Sequence, residues 1–323
     1  MISHSLILIN IKKLINKDEW YIRMNIKELY KISLDKIREV GDFQRKNQGM
    51  VINIGKDKYS SEGTPIHNAL TLIDIYSQDA ITSQIIKYFP DVRIIGEENT
   101  LIKNPDIKKE SRYTIAEDPL DGTEIYINGE KDYSIMLGVL DKGKLVMGIG
   151  YYPARNETFA SIKGEGAWKI DSYGNKSYLK QLKDVHFDEK NLAVHYRFLN
   201  PPYDVLANNL LSKGYVFATN KRDFGTNLTG ILRIAEGKSV AFIGPHISLH
   251  DFSAAAAMIK ELGGVIRRFD YNGKDDYKSW EKKPDYFQKI SQEGSPPRYR
   301  VIIARDEETI EKIIREMLSG LKT

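Results

Sequence analysis

"YTIAEDPLDGTEIYINGE", residues 113–130, opens as a β-branched and aromatic run and breaks at Asp118, Pro119, Leu120, Asp121, Gly122 and Thr123. The run reads as a buried strand. The break has two readings. Asp-Pro and Asp-Gly are good turn chemistry, so the two acids could simply close a turn. Two carboxylates three residues apart could also be part of a cage for a hard cation, which takes oxygen ligands.

The flanks supply the context. "YSIMLGVLDKGKLVMGIGYY" (133–152) predicts a hairpin turning at "DKG", "ETFASI" (157–162) continues the sheet, and "KGEGAW" (163–168) turns away from it. Upstream, "VRIIG" (92–96) is a strand that ends at Glu97 and Glu98. A long helix is expected from about Ile66 to Tyr88, stopped by Pro90. Before it, Ile26, Leu29, Ile32, Ile37 and Val40 in "MNIKELYKISLDKIREVG" (24–41) lie near helical spacing, and Gly41 is read as the stop. Helices followed by neighbouring strands make an α+β pattern.

After about residue 185 the pattern alternates. "NLAVHY", "GYVFAT", "SVAFI", "VIRRF" and "RVIIA" read as strands; "PPYDVLANNLLSK", "TNLTGILRIAEG", "DFSAAAAMIKELGG" and "DEETIEKIIREMLSGL" read as helices, the last capped by Asp306. This alternation implies an α/β unit. The chain therefore divides into an extension (1–23), an α+β half (24–185) and an α/β half (186–323), with 270–299 as a polar surface excursion.

Composition narrows the function classes. The 323 residues are 41% hydrophobic and 28% charged, as in a soluble globular protein. A net charge of +4 and short, scattered basic runs argue against a nucleic-acid polymer as partner. The chain has no cysteine, which removes disulfides, thiolate metal sites and cysteine nucleophiles. No stretch reaches the ~20 apolar residues of a membrane span. "MISHSLILINIKKLI" lacks the flanks of a signal peptide, so a cytoplasmic protein is expected.

Glu97, Glu98, Asp118, Asp121, Asp251 and Asp74 remain to be explained. Singly, each has an ordinary reading. Asp251 could be a helix cap, Asp118 and Asp121 turn residues, and the glutamates and Asp74 solvated surface. Together they form an all-oxygen set with no His or Cys, the ligand preference of Mg²⁺ or Ca²⁺.

"GEEN" (96–99), "DPLDGT" (118–123) and an Asp heading an alanine-rich helix that ends in "GG" resemble the inositol monophosphatase-like superfamily. That superfamily includes inositol monophosphatases, fructose-1,6-bisphosphatases and 3′(2′),5′-bisphosphate nucleotidases. The likeness runs from Met24 over most of the chain. It implies a layered αβαβα sandwich, α+β in its N-terminal half and α/β in its C-terminal half. It also implies a Mg²⁺-dependent phosphatase with two or three ions, Mn²⁺ as a substitute, and Li⁺ and Ca²⁺ as inhibitors. By the same resemblance Glu97, Asp118, the Leu120 carbonyl, Asp121 and Asp251 hold metal. Glu98 supports them, and Thr123 with Asp74 orients and deprotonates the attacking water. Metal ions suit this chemistry, because a phosphomonoester dianion repels an anionic nucleophile. Gly122, Thr123, Arg222, Gly225 and Thr226 are the candidate substrate contacts, with backbone N–H groups after Gly122 aimed at phosphate.

Departures from the family pattern bear on substrate. Glu124 follows "DPLDGT", where Thr or Lys is common. His250 replaces a frequent Trp and is expected to pack beside Asp251 and shape the pocket. Gly244 stands where inositol monophosphatases often place a Glu for inositol hydroxyls. "GTNLTGIL" lacks the early Lys of many nucleotidases, although "FPDVRIIGEEN" resembles that branch. "EGTP" (62–65) is similar to the "DGTP" of archaeal-type dual phosphatases. Lys221 and Arg222 could hold a remote phosphate or be surface charges.

The expected substrate is a sugar or polyol phosphate such as fructose-1,6-bisphosphate or inositol-1-phosphate. 3′-Phosphoadenosine 5′-phosphate is the alternative. A non-catalytic member that binds a phosphorylated ligand is a more distant one. A Ca²⁺-stabilised module would need a contiguous ligand loop, which the sequence lacks. The resemblance also implies a homodimer.

Overall fold

The computed structural model describes residues 25–50, 71–98, 111–269, 282–283, 287 and 298–321. The extension, "EGTP" and most of the 270–299 excursion lie outside them.

Helix α1 (Ile26–Asn47) starts at Asn25, whose side chain accepts from the N–H groups of Lys27 and Glu28. It does not stop at Gly41. A Cβ there would come within 2.4 Å of the Tyr151 ring, so this glycine lets the helix lie close on the sheet. Helix α2 (Leu72–Tyr88) begins at its N-cap Thr71; Ile66, the expected start, lies outside the described residues.

The first sheet has seven strands in sequence order: β1 (Arg93–Gly96), β2 (Tyr113–Asp121), β3 (Ser134–Asp141), β4 (Lys144–Tyr152), β5 (Glu157–Ile162), β6 (Gly166–Ile170) and β7 (Lys176–Tyr178). Only β1 and β2 run parallel; the rest form an antiparallel meander. The β3–β4 hairpin turns at Lys142 and Gly143, both with positive φ, as a two-residue turn requires. "KGEGAW" departs from expectation, because its second half returns as β6 and pairs with β5.

The second sheet combines β8 (Asn191–Val194), β9 (Val216–Thr219), β10 (Ala241–Ser248), β11 (Val265–Phe269), β12 (Lys282–Lys283) and β13 (Arg298–Ala304) in the order β12-β11-β13-β10-β8-β9. It is parallel at β10-β8-β9 and antiparallel on the other side.

Helices fill three layers around these sheets. α1 and α2 cover one face of the first sheet, through a core of residues such as Leu29, Ile37, Ile81, Ile115 and Leu137. α5 (Asn227–Ala235) and α6 (Ser253–Glu261) fill the space between the sheets. α4 (Asp204–Ser212) and α7 (Glu307–Met317) pack against each other, and α7 lies on β13. The result is an αβαβα sandwich. Strand alternation splits β3 between two cores: Ile135, Leu137 and Val139 face the outer helices, while Met136 and Leu140 join the inter-sheet core with Phe242 and Val301.

Candidate active site

The two acids of "DPLD" do not sit in a turn; they lie in β2. Asp118 pairs with Met136 and Asp121 with Ser134, so three steps on β2 match two on β3. This is a one-residue bulge, a position that also tolerates Pro119 with its missing N–H. On a regular strand, residues three apart point to opposite faces. The bulge cancels that alternation, and both acids line one cavity of about 430 Å³.

The strand ends at Gly122 (φ 90), a conformation that suits glycine, and the short helix α3 (Thr123–Ile127) follows. The Thr123 hydroxyl lies 2.9 Å from Asp74 Oδ1 and 3.1 Å from the Leu120 carbonyl. Asp74 belongs to the capping box of α2: its Oδ2 accepts from the Thr71 N–H (2.8 Å) and hydroxyl (2.6 Å). Asp74 is wholly buried and reaches the cavity through Thr123.

Asp121 accepts from the N–H groups of Asn227 (3.3 Å) and Leu228 (3.1 Å), at the amino end of α5, and from Ser134 Oγ (3.3 Å). Asp251 is not a helix cap. Phe252 holds that place in α6, while Asp251 Oδ2 accepts from the Ser248 N–H at 2.6 Å and closes a turn. His250 is buried with Nε2 3.7 Å from Asp251 Oδ1, and it does not line the cavity.

Of the sequence candidates, Glu97, Asp118, Leu120, Asp121, Gly122, Thr123, Arg222, Gly225 and Asp251 line the cavity. Glu98 and Thr226 do not. Thr226 caps α5 by accepting from the Thr229 N–H. The far wall is a single π-helical turn over Asn220–Phe224 together with Tyr196. Lys221 Nζ lies 4.7 Å from the Tyr196 ring centroid. The Arg222 guanidinium is engaged by Asp223 and the Phe217 carbonyl. Glu124 is exposed at the cavity rim, where solvent screens its charge.

Thr71, Ser134, Ser248 and the Asn227 and Leu228 N–H groups also hold the acids, without standing out in the sequence. Only the last pair had a signal. Thr226 as a helix cap predicts free N–H groups at the next positions.

The electrostatics are those of crowded anions. Burial, then the charges of Glu97, Asp121 and Asp251, push Asp118 well above the ordinary carboxylate range. Burial, helped by the charges of Asp251 and Glu97, pushes Asp121 up to about 7 against the pull of two backbone N–H bonds. Burial also carries Asp74 to about 6, although Thr71 and Thr123 pull it down. Among the described residues no three such side chains stand in a finished ligand cage. Four mutually repelling carboxylates with all-oxygen chemistry nevertheless fit a hard divalent cation, which would relieve the repulsion.

Comparison with known proteins agrees with this architecture. The sequence model of the inositol monophosphatase family matches residues 25–318. The chain is 27% identical over 237 residues to the Nus factor SuhB of Pasteurella multocida, covering 72% of this chain and 84% of that protein. It is 25% identical over 243 residues to the fructose-1,6-bisphosphatase/inositol-1-monophosphatase of Thermotoga maritima, covering 75% and 85%. Among solved structures, SuhB from Bartonella henselae superposes with a TM-score of 0.65 at 18% identity, covering 91% of this chain and all of that one. A Thermotoga maritima IMPase gives 0.62 at 21% identity, covering 91% and 99%. Those structures speak for the fold; the sequence match over residues 25–318 goes further, and the chain belongs to the inositol monophosphatase family.

Proposed function

We propose that this protein is a Mg²⁺-dependent phosphatase of a small phosphorylated metabolite. One observation carries the reading: Glu97, just past the end of β1, and Asp118 and Asp121 in β2 meet Asp251, from the turn before α6, at one polar cavity. Glu97, Asp118, Asp121, Asp251 and the Leu120 carbonyl are the proposed Mg²⁺ ligands, with Mn²⁺ as a substitute and Li⁺ and Ca²⁺ as inhibitors. When bound, the ions supply charge neutralisation for the phosphoryl group and acidify water.

The protein's own groups do the rest. Asp74 Oδ1 accepts from Thr123, which leaves the threonine oxygen lone pairs to accept a hydrogen bond from the attacking water. Asp74 is the final proton acceptor, and a pKa near 6 suits a base working at neutral pH. The sugar or polyol end of the substrate lies toward Tyr196, Asn220 and Lys221.

Phosphate release from fructose-1,6-bisphosphate, inositol-1-phosphate and 3′-phosphoadenosine 5′-phosphate, with and without Mg²⁺, tests the assignment. The first two are expected to be the better substrates. Release that persists in excess chelator would sink the metal reading. Relatives bearing the name Nus factor support a second reading, a member that serves by binding a partner. That member would have no need of the Thr71–Asp74–Thr123 chain, and the intact chain favours hydrolysis.

A further inference from the structure

The core-facing stripe of a helix is normally apolar. That of α2 is partly polar: Asp74, Ser77, Gln78 and Thr82 recur at helical spacing and all are buried. A buried polar group costs free energy unless it is hydrogen-bonded, so each needs a partner. Asp74 has Thr71 and Thr123. Ser77 accepts from Gln44 Nε2 (3.0 Å), which also donates to the Pro119 carbonyl inside the bulge (2.7 Å). Thr82 donates to Glu117 Oε2 at 3.1 Å.

Gln78 differs from these in binding the main-chain N–H and carbonyl of one residue together. Its Nε2 donates to the Glu98 carbonyl and its Oε1 accepts from the Glu98 N–H, each at 2.8 Å. A carboxamide used this way imitates a paired strand. It takes over where β1 ends, after the Glu97 N–H has donated to the Glu117 carbonyl at 3.1 Å. Gly96 fixes the approach from the other side. A Cβ at that position would stand 2.3–2.4 Å from three atoms of the Gln78 carboxamide, closer than any real contact. The chain before Glu97 thus lies flat against the amide, and the chain after it is held by two hydrogen bonds. Only Glu97, between them, turns its side chain to the cavity. A neutral amide does this without adding charge to an already acidic site.

We propose that Gln78 is the positioning residue for Glu97. It fixes the carboxylate within the acid set and so sets the affinity of the site for Mg²⁺. This role rests on the reading of Glu97 as a cation ligand.

Gln78→Met keeps length and volume and removes both hydrogen bonds. Thr82→Val, one turn along the same stripe, removes a buried hydrogen bond to the Glu117 side chain and touches neither the main chain of Glu97 nor that of Glu98. Mg²⁺ affinity by isothermal titration calorimetry and stability by urea unfolding are measured on both variants and on the unaltered protein. Gln78→Met is expected to weaken Mg²⁺ binding about tenfold. Thr82→Val is expected to lose stability while holding its affinity within about twofold. Gly96→Ala, which leaves α2 intact, is expected to weaken Mg²⁺ binding as Gln78→Met does. Unchanged affinity in Gln78→Met or Gly96→Ala overturns the proposal, as does an equal loss in Thr82→Val. Failure of the unaltered protein to bind Mg²⁺ is a separate result; it overturns the metal reading of the site and this role with it.

Discussion

Asp121 is held by two backbone N–H groups yet repelled by its neighbours, and the repulsion together with burial wins: its pKa rises to about 7. A carboxyl group whose folded pKa lies above its unfolded value favours folding while it is protonated. That contribution is complete below about pH 4 and is lost as pH rises toward about 7. Chelator-treated protein is therefore expected to melt at lower temperature at pH 8 than at pH 5.5. Asp121→Asn should narrow that gap, because an amide oxygen still accepts from Asn227 and Leu228 without the charge. The same change should abolish Mg²⁺-dependent phosphate release. Thermal melts in chelator and activity assays in Mg²⁺ read the two opposite effects. A variant that is both less stable in chelator and fully active would refute this account of the residue. Asp74→Asn and Thr123→Val test the proton path. Each is expected to lower kcat by about 10²-fold or more with the fold retained, since that is the usual weight of a positioned base. At this scale the sequence was informative about identity and uninformative about support. The acids stand out by residue type, whereas Ser134 and the Ser248 N–H gain meaning only from what the fold sets beside them.

Elements recognised from local periodicity largely agree with the structure; the differences lie where a distant partner outweighs local chemistry. Gly41 has the look of a helix stop, and the ring of Tyr151 explains why it is mid-helix. "DPLD" has the look of a turn, yet pairing with β3 keeps it in a strand and converts the turn chemistry into a bulge. Gly138 and Gly148 look unremarkable inside their strands. A Cβ at Gly138 would meet Ser253 at 2.1 Å, and one at Gly148 would meet the Ala254 carbonyl at 2.1 Å. These glycines form the bed on which the first turn of α6 lies, and Asp251 sits two residues before that helix. Gly148→Ala is expected to cost about 1–3 kcal/mol, because the obstructing atom is backbone and cannot rotate away. It should also reduce Mg²⁺ affinity by shifting Asp251. Urea unfolding and calorimetric titration measure the two. An Asp306→Ala change at the head of α7 removes the bond to the Thr309 N–H. It should cost about 1 kcal/mol and leave Mg²⁺ affinity alone. If both variants lower affinity alike, α6 has no special role in placing the acid.

Across the whole molecule the acids come from two structural layers. Asp118 and Asp121 ride on the first sheet, and Asp251 lies between β10 of the second sheet and α6. Asp121 also receives the N–H groups of α5, an inter-sheet helix. A cation held by this set would tie the β2 bulge to the 248–251 turn across the inter-sheet core, whose residues come from both sheets. Binding to the folded state alone stabilises by RT ln(1 + [L]/Kd), about 2.7 kcal/mol at a concentration 100 times Kd. Mg²⁺ should therefore raise the melting temperature. Hydrogen exchange locates the effect. Mg²⁺ is expected to slow exchange at the Leu120, Asn227, Leu228 and Asp251 N–H groups together, and to leave α7, remote from the cavity, unchanged. Asp251→Asn should uncouple the pattern, so that the bulge and the 248–251 turn no longer respond in concert. Protection confined to β2 alone in the unaltered protein would mean that the cation sits on one layer, and the two-layer site would have to be abandoned.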